Sequence, residues 1–171
     1  MKEIKEIEQS RYVLNRFDHY IEGANSKGNF LLAFSAFLFG FIVTSFQNIV
    51  EFSNCKAQNW TTGLLVVILI LGIVSIGFTI AAVFPFLKTN NSSSKKYHSL
   101  LFFNSIADMV EEDFLTQYKE QKDKKVCKDI AKQIYAISKG LKTKYNRISW
   151  SIRLVFIQLV LLLTIIIIKV V

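Results

Sequence analysis

Lys139, Lys142, Lys144, Arg147 and Arg153, with Tyr135 and Tyr145 among them, are the residues of this 171-residue chain whose types and spacing come nearest to chemistry. Ammonium and guanidinium groups can hold a phosphate, and a tyrosine ring can stack a base or sit under a cation. The same set suits anionic lipid headgroups, at about 1 kcal/mol per charge. On physical grounds alone, lipid contact and topology account for it more simply. Other chemistry is harder to assemble. His19 and His98 lie far apart and neither has a metal-ligand neighbour three or four residues on, so a zinc site is not expected. Asp108, Glu111 and Glu112 read as a solvated helix start, where carboxylates meet the positive helix end. No nucleophile elbow, Walker loop or dinucleotide fingerprint occurs, and no enzyme is expected.

The cations need an element to hold them at a boundary, and the stretch from Asp129 to Val171 supplies one. Its first half, DIAKQIYAISKGLKTKYNRIS, is basic and amphipathic, whereas its second, WSIRLVFIQLVLLLTIIIIKVV, is almost wholly apolar. Ile130, Ile134, Ile137, Leu141, Tyr145, Ile148, Ile152 and Val155 recur at steps of three and four, the helical period, and no proline interrupts them. Gly140 is the one weak point, costing about 1 kcal/mol relative to alanine. One helix is therefore expected to join a cytosolic face to a lipid-facing one.

Composition places the whole chain in a membrane. Hydrophobic residues make up 51%, and the excess falls in three blocks, 29–50, 62–87 and 150–171, each close to the roughly 20 residues a spanning helix needs. The fold class expected is an all-α membrane protein. It has an N-terminal amphipathic helix (1–28), transmembrane helix 1 (29–50), an external loop (51–61) and transmembrane helix 2 (62–87). A cytoplasmic helical segment (88–149) and transmembrane helix 3 (150–171) follow. Five Lys/Arg precede the first block, Lys56 lies between the first two, and thirteen lie from Lys88 to Arg147. The positive-inside rule thus puts the N-terminus and 88–149 in the cytoplasm and the C-terminus outside. That placement, rather than nucleic-acid binding, explains the net charge of +8. Cys55 and Cys127 would lie on opposite sides of the bilayer, so no disulfide is expected, and no cleavable signal peptide is visible.

Along the chain, Ile4, Ile7, Arg11, Leu14, Phe17, Ile21 and Ala24 form one stripe whose mixed-charge opposite face favours packing against protein over lipid. The segment 23–29 permits a bend or a close approach. In the first span, Phe30, Phe34, Phe37 and Phe41 adjoin a small-residue stripe of Ala33, Ala36, Gly40 and Thr44. The stripe is expected to pack against the second span rather than a second subunit. Gly72, Gly77 and Ala81 offer close contacts, Trp60 marks an interface, and Pro85 suits a helix leaving the membrane. Neither of the first two spans carries a charged residue, which weighs against an ion-coupled transporter. The run 89–94 reads as a linker, Phe114, Leu115 and Tyr118 as inward-packing, and 119–128 as a solvated connector. No heptad run is long enough to give a coiled coil.

Several short motifs, taken in order, resemble the Pycsar effector family, the transmembrane effectors of bacterial antiphage systems built around a pyrimidine cyclase. They are Ala24-Asn25-Ser26-Lys27-Gly28, Phe102-Phe103-Asn104-Ser105-Ile106, the run Asp129 to Ser138, and Lys144-Tyr145 before the last span. Asn25 stands where the family pattern has aspartate, and Asn104 where it has glycine. The resemblance implies a membrane effector of the bacterial inner membrane, activated by cyclic CMP or cyclic UMP, that impairs membrane integrity as a homo-oligomer. The nucleotide-binding residues expected on this basis are Asn25, Lys27, Lys139, Lys144 and Tyr145. Two other classes fit the residues: a membrane-anchored adaptor whose cytoplasmic helices dock a soluble partner, and a constitutive holin-like channel.

Overall fold

The computed structural model describes residues 2–51, 58–84 and 99–170. Five helices account for nearly all of them, and no strand occurs among the described residues: α1 (Lys2–Glu51), α2 (Gln58–Val83), α3 (Phe103–Ala107), α4 (Glu111–Lys119) and α5 (Asp123–Val170). Cys55 and Lys56 of the expected loop, Pro85, the linker 89–94 and His98 lie outside the described residues. Three helices, α1, α2 and α5, are long and apolar enough to cross a membrane. At about 1.5 Å per residue, the 50-residue α1 and the 48-residue α5 each far exceed the ~30 Å of hydrocarbon.

The chain divides into two compact units, residues 1–21 with 85–142 and residues 22–84 with 143–171. In the first, the stripe Ile7, Leu14, Phe17 and Ile21 is half-buried, with Arg11 exposed, in keeping with a face turned to protein. Its buried polar contacts tie the chain before α3 to α5. Buried Asp129 accepts hydrogen bonds on Oδ2 from Ser99 Oγ (2.9 Å) and the Leu100 amide (3.1 Å). Ser99 Oγ in turn receives Gln133 Nε2 (3.0 Å) and lies 3.2 Å from the amides of Leu101 and Phe102. α4 opens on Glu111, Glu112 and Asp113, as the carboxylate run predicts. Two expectations change here. Leu115 and Tyr118 are exposed, and only Phe114 is half-buried, its ring 5.6 Å from that of Tyr118. The supposed connector is also mostly helical, since α5 begins at Asp123 with an acidic first turn.

The second unit holds the three spans. Residues 23–29 carry no bend: α1 runs helical through them. Gly28 instead meets α2 so closely that a Cβ there would lie 2.7 Å from Val83 Cγ2. The buried positions are Ala24, Gly28, Leu31, Ser35, Leu38 and Ile42 on α1. On α2 they are Thr61, Leu65, Ile68, Gly72, Ser75, Thr79 and Ala82, and on α5 they are Ile148, Ser151, Val155, Gln158 and Ile165. Steps of four and three repeat throughout, a seven-residue repeat that keeps one seam facing inward. The heptad is not plain in the sequence because large apolar residues mark only some of its positions, among them Leu31, Leu38, Leu65 and Val155, while serine, threonine, glycine, alanine and glutamine fill the rest. Many other large apolar side chains point outward, among them Phe30, Phe37, Phe41, Ile70, Ile73, Phe156, Leu163 and Ile166. Leu38, Ile42, Leu65, Ile68 and Ile165 form the one sizeable apolar cluster in the seam.

The small-residue stripe of α1 is corrected by this arrangement. Ala33, Ala36, Gly40 and Thr44 are exposed and do not pack on the second span, and a Cβ on Gly40 would meet nothing within 4 Å. Ala33, Gly40 and Thr44 sit two residues after Leu31, Leu38 and Ile42, and Ala36 two before Leu38, each about 200° of helical rotation away and so on the opposite face. Gly77 is likewise open, whereas Gly72 is in close contact as expected.

Candidate functional site

The second unit brings α1, α2 and α5 together on small residues. Ala24, Ala82 and Ile148 form a buried cluster, and with only methyl groups on two of the three helices the backbones can approach closely. This contact fixes the register of the residues around it. Arg147, one residue before Ile148, donates from Nη1 to the Ala81 carbonyl at 2.6 Å. α2 has no basic residue in its own last turn, so α5 supplies the cation that its unsatisfied carbonyls favour.

Four of the five candidate residues lie in this unit. Lys27 of α1 and Tyr145 of α5 meet, with Lys27 Nζ 6.0 Å from the Tyr145 ring centroid. That is near the outer limit of an effective cation–π contact. Lys144 is partly withdrawn from water, and this burial pushes its ammonium below the ordinary lysine value. Asn25, one residue past Ala24, has its Oδ1 buried without a hydrogen-bond partner. Lys139 belongs to the first unit and stacks on Tyr135, with Nζ 4.5 Å from the ring centroid. Further along α5, Arg153 lies 5.2 Å from the ring centroid of the exposed Trp150. That pairing suits the headgroup level of a bilayer.

Chemically, the four residues offer two ammonium groups, one of them partly desolvated, an aromatic face and an unsatisfied amide oxygen. An anion beside Lys144 would restore the charge that burial disfavours, and Asn25 Oδ1 would accept a hydrogen bond from an N–H donor.

The profile of the Pycsar effector protein domain matches residues 9–170, nearly the full length. The chain belongs to the Pycsar effector family. No curated protein and no solved structure matches it. This effector is a multi-pass membrane protein of antiphage defence, and its family is one of membrane effectors rather than a catalytic one. The segments that carry the resemblance acquire physical reasons in it. Ala24 and Gly28 make the helix contact, while Asp129 ties Ser99 and the start of the α3 segment to α5.

Sequence reasoning did not single out the polar residues buried between this effector's three long helices. Ser75, Thr79 and Ser151 share a knot of hydroxyls. Ser151 Oγ lies 2.7 Å from Ser75 Oγ, 2.6 Å from Thr79 Oγ1 and 3.0 Å from the Ser75 carbonyl. Gln158 donates from Nε2 to the Ile68 carbonyl at 2.9 Å. The available signal was the seven-residue step from Ser151 to Gln158 inside a run otherwise apolar but for Arg153.

Proposed function

We propose that this effector is activated by a cyclic pyrimidine nucleotide, cyclic CMP or cyclic UMP, and then impairs the bacterial inner membrane as a homo-oligomer. The observation that carries the reading is the meeting of Lys27 and Tyr145 at the end of the three-helix unit, on the same segments as partly desolvated Lys144 and unpartnered Asn25 Oδ1. A cyclic phosphate brings the negative charge Lys144 lacks. A pyrimidine brings a ring for Tyr145 and an N–H donor for Asn25, in cytosine's amine or uracil's imide. Lys139, stacked on Tyr135, belongs to the first unit and is not needed for this reading. In this reading the N-terminus and the 88–149 segment are cytoplasmic and the C-terminus external, which puts the nucleotide site on the side where the ligand is made. The exposed stripe of Ala33, Ala36, Gly40 and Thr44 supports assembly, since small residues let helices of neighbouring copies approach in lipid.

Dye entry into expressing cells, with and without each nucleotide, tests the proposal. Nucleotide-dependent entry is expected, and Lys27→Ala with Tyr145→Ala should raise the concentration required about tenfold, the effect of losing roughly 1.4 kcal/mol of binding. Entry without nucleotide would favour a constitutive holin-like channel. No entry under any nucleotide would favour an adaptor.

A further inference from the structure

The inner seam of the three-span unit carries serine, threonine and glutamine among its apolar residues, and these polar groups form a line rather than a scatter. Ser75 and Thr79 on α2 face Ser151 on α5, and Gln158 continues the line two turns further along α5. Ser35 lies on the seam of α1, 2% exposed. We propose that the bundle opens along this seam, and that Ser35, Ser75, Thr79, Ser151 and Gln158 then line a water-filled path. The proposal rests on the membrane-impairing reading above and names the surface through which it acts.

Three observations support it. First, the closed seam is incompletely satisfied. Ser35 Oγ and Gln158 Oε1 are buried with no hydrogen-bond partner, a costly state at membrane depth that water would relieve. Second, the hydroxyl knot loses little on opening. One arrangement uses each hydrogen once, with Ser151 donating to the Ser75 carbonyl and Ser75 and Thr79 donating to Ser151 Oγ. Each of those bonds can be exchanged for one to water. Third, lipid supplies no hydrophobic force to hold the helices together, so packing must do it. At the end carrying Lys27 and Tyr145 the buried apolar cluster is small, Ala24, Ala82 and Ile148, beside the close Gly28–Val83 contact. The larger apolar cluster around Ile42, Leu65 and Ile68 closes the other end.

Thiol accessibility in vesicles of phosphatidylethanolamine and phosphatidylglycerol provides the test. With Cys55→Ser and Cys127→Ser as background, single cysteines are placed on the seam (Ser151→Cys, Gln158→Cys) and on the outer face (Phe156→Cys, Leu163→Cys). A charged methanethiosulfonate, which needs both water and a thiolate, is the probe. In vesicles made leaky by cyclic CMP or cyclic UMP, the two seam cysteines should react about tenfold faster or more than at rest, with the outer pair slow throughout. Leaky vesicles whose seam cysteines stay as slow as the outer pair would overturn the proposal. Should no nucleotide cause leakage, the membrane-impairing reading fails and the seam is decided by a steric wedge. A Cβ added at Gly72 would lie 3.0 Å from Gln158 Nε2 and 3.2 Å from Phe39 Cδ2, so the still larger side chain of Gly72→Leu must part the helices there. Reactive seam cysteines in that variant, with the outer pair still slow, would support an opening seam, and protected ones would overturn it.

Discussion

Two buried polar clusters, one in each unit, treat the same problem differently. In the first unit the buried group is a carboxylate, and Ser99 Oγ and the Leu100 amide both donate to it. In the second unit the groups are neutral hydroxyls and one amide, and two of their atoms have no partner. A buried charge held by several donors is expensive to expose, because removing it strands every donor at once. Neutral groups that bond mostly to one another can be traded for water at small cost. Asp129 is thus a permanent tie, and the Ser/Thr/Gln seam a joint that can part.

The largest expected effect breaks the tie. Asp129→Ala should destabilise the first unit by about 3 kcal/mol, two charge-assisted bonds lost with their donors left buried. Hydrogen exchange at the amides of Leu100 to Phe102 should rise with it, whereas Asp129→Asn, which keeps an acceptor, should do less. A smaller loss, about 1–3 kcal/mol, is expected for Gly28→Ala in the second unit, where the new methyl would overlap Val83. Val83→Ala should restore most of it in thermal unfolding in detergent. On the seam itself, Ser75→Ala and Ser151→Ala should each cost only about 0.6 kcal/mol, the usual scale between membrane helices. Gln158→Leu should be neutral or slightly stabilising, since it removes an unsatisfied oxygen along with one bond. A seam variant costing as much as Asp129→Ala would erase the contrast.

The smallest effect is one of pH. Burial lowers the Lys144 pKa in the folded chain, so between that value and the ordinary one the unfolded chain holds more protons. Stability should therefore climb as pH rises through this alkaline window, and Lys144→Met should flatten the climb. A bound nucleotide should do likewise, by raising the folded pKa; NMR of the methyl-labelled lysine would read it.

Much of the fold was legible in the sequence. Three apolar runs announced the spans, and an uninterrupted helical period through Gly140 and Ser149-Trp150-Ser151 announced that α5 is continuous. The inward face of the spans was not legible. In a soluble helix hydrophobicity marks that face, but here both faces of α1 are apolar, and Ala33-Ala36-Gly40-Thr44 recurs at steps of three and four just as Leu31-Ser35-Leu38-Ile42 does. Size alone pointed to the wrong stripe. Of the candidate site, the cations and aromatics were visible, but the pairing of Lys27 with Tyr145 joins residues 118 apart in sequence. The tie from Ser99 to Asp129 was hidden similarly, by a separation of 30 residues.

The central claim is that nucleotide bound near Lys144 and Tyr145 reaches the seam through α5, in which Ser151 follows Tyr145 by less than two turns. Inserting Gly-Pro-Gly after Ser149 breaks the helix between the two while leaving Asn25, Lys27, Lys144 and Tyr145 in place. The measurement is paired, nucleotide affinity and dye release from vesicles holding the same insertion variant. Affinity within about threefold of the parent, with dye release abolished, is the predicted result. A variant that binds nucleotide and still releases dye like the parent would contradict the account and assign the output to α1 and α2.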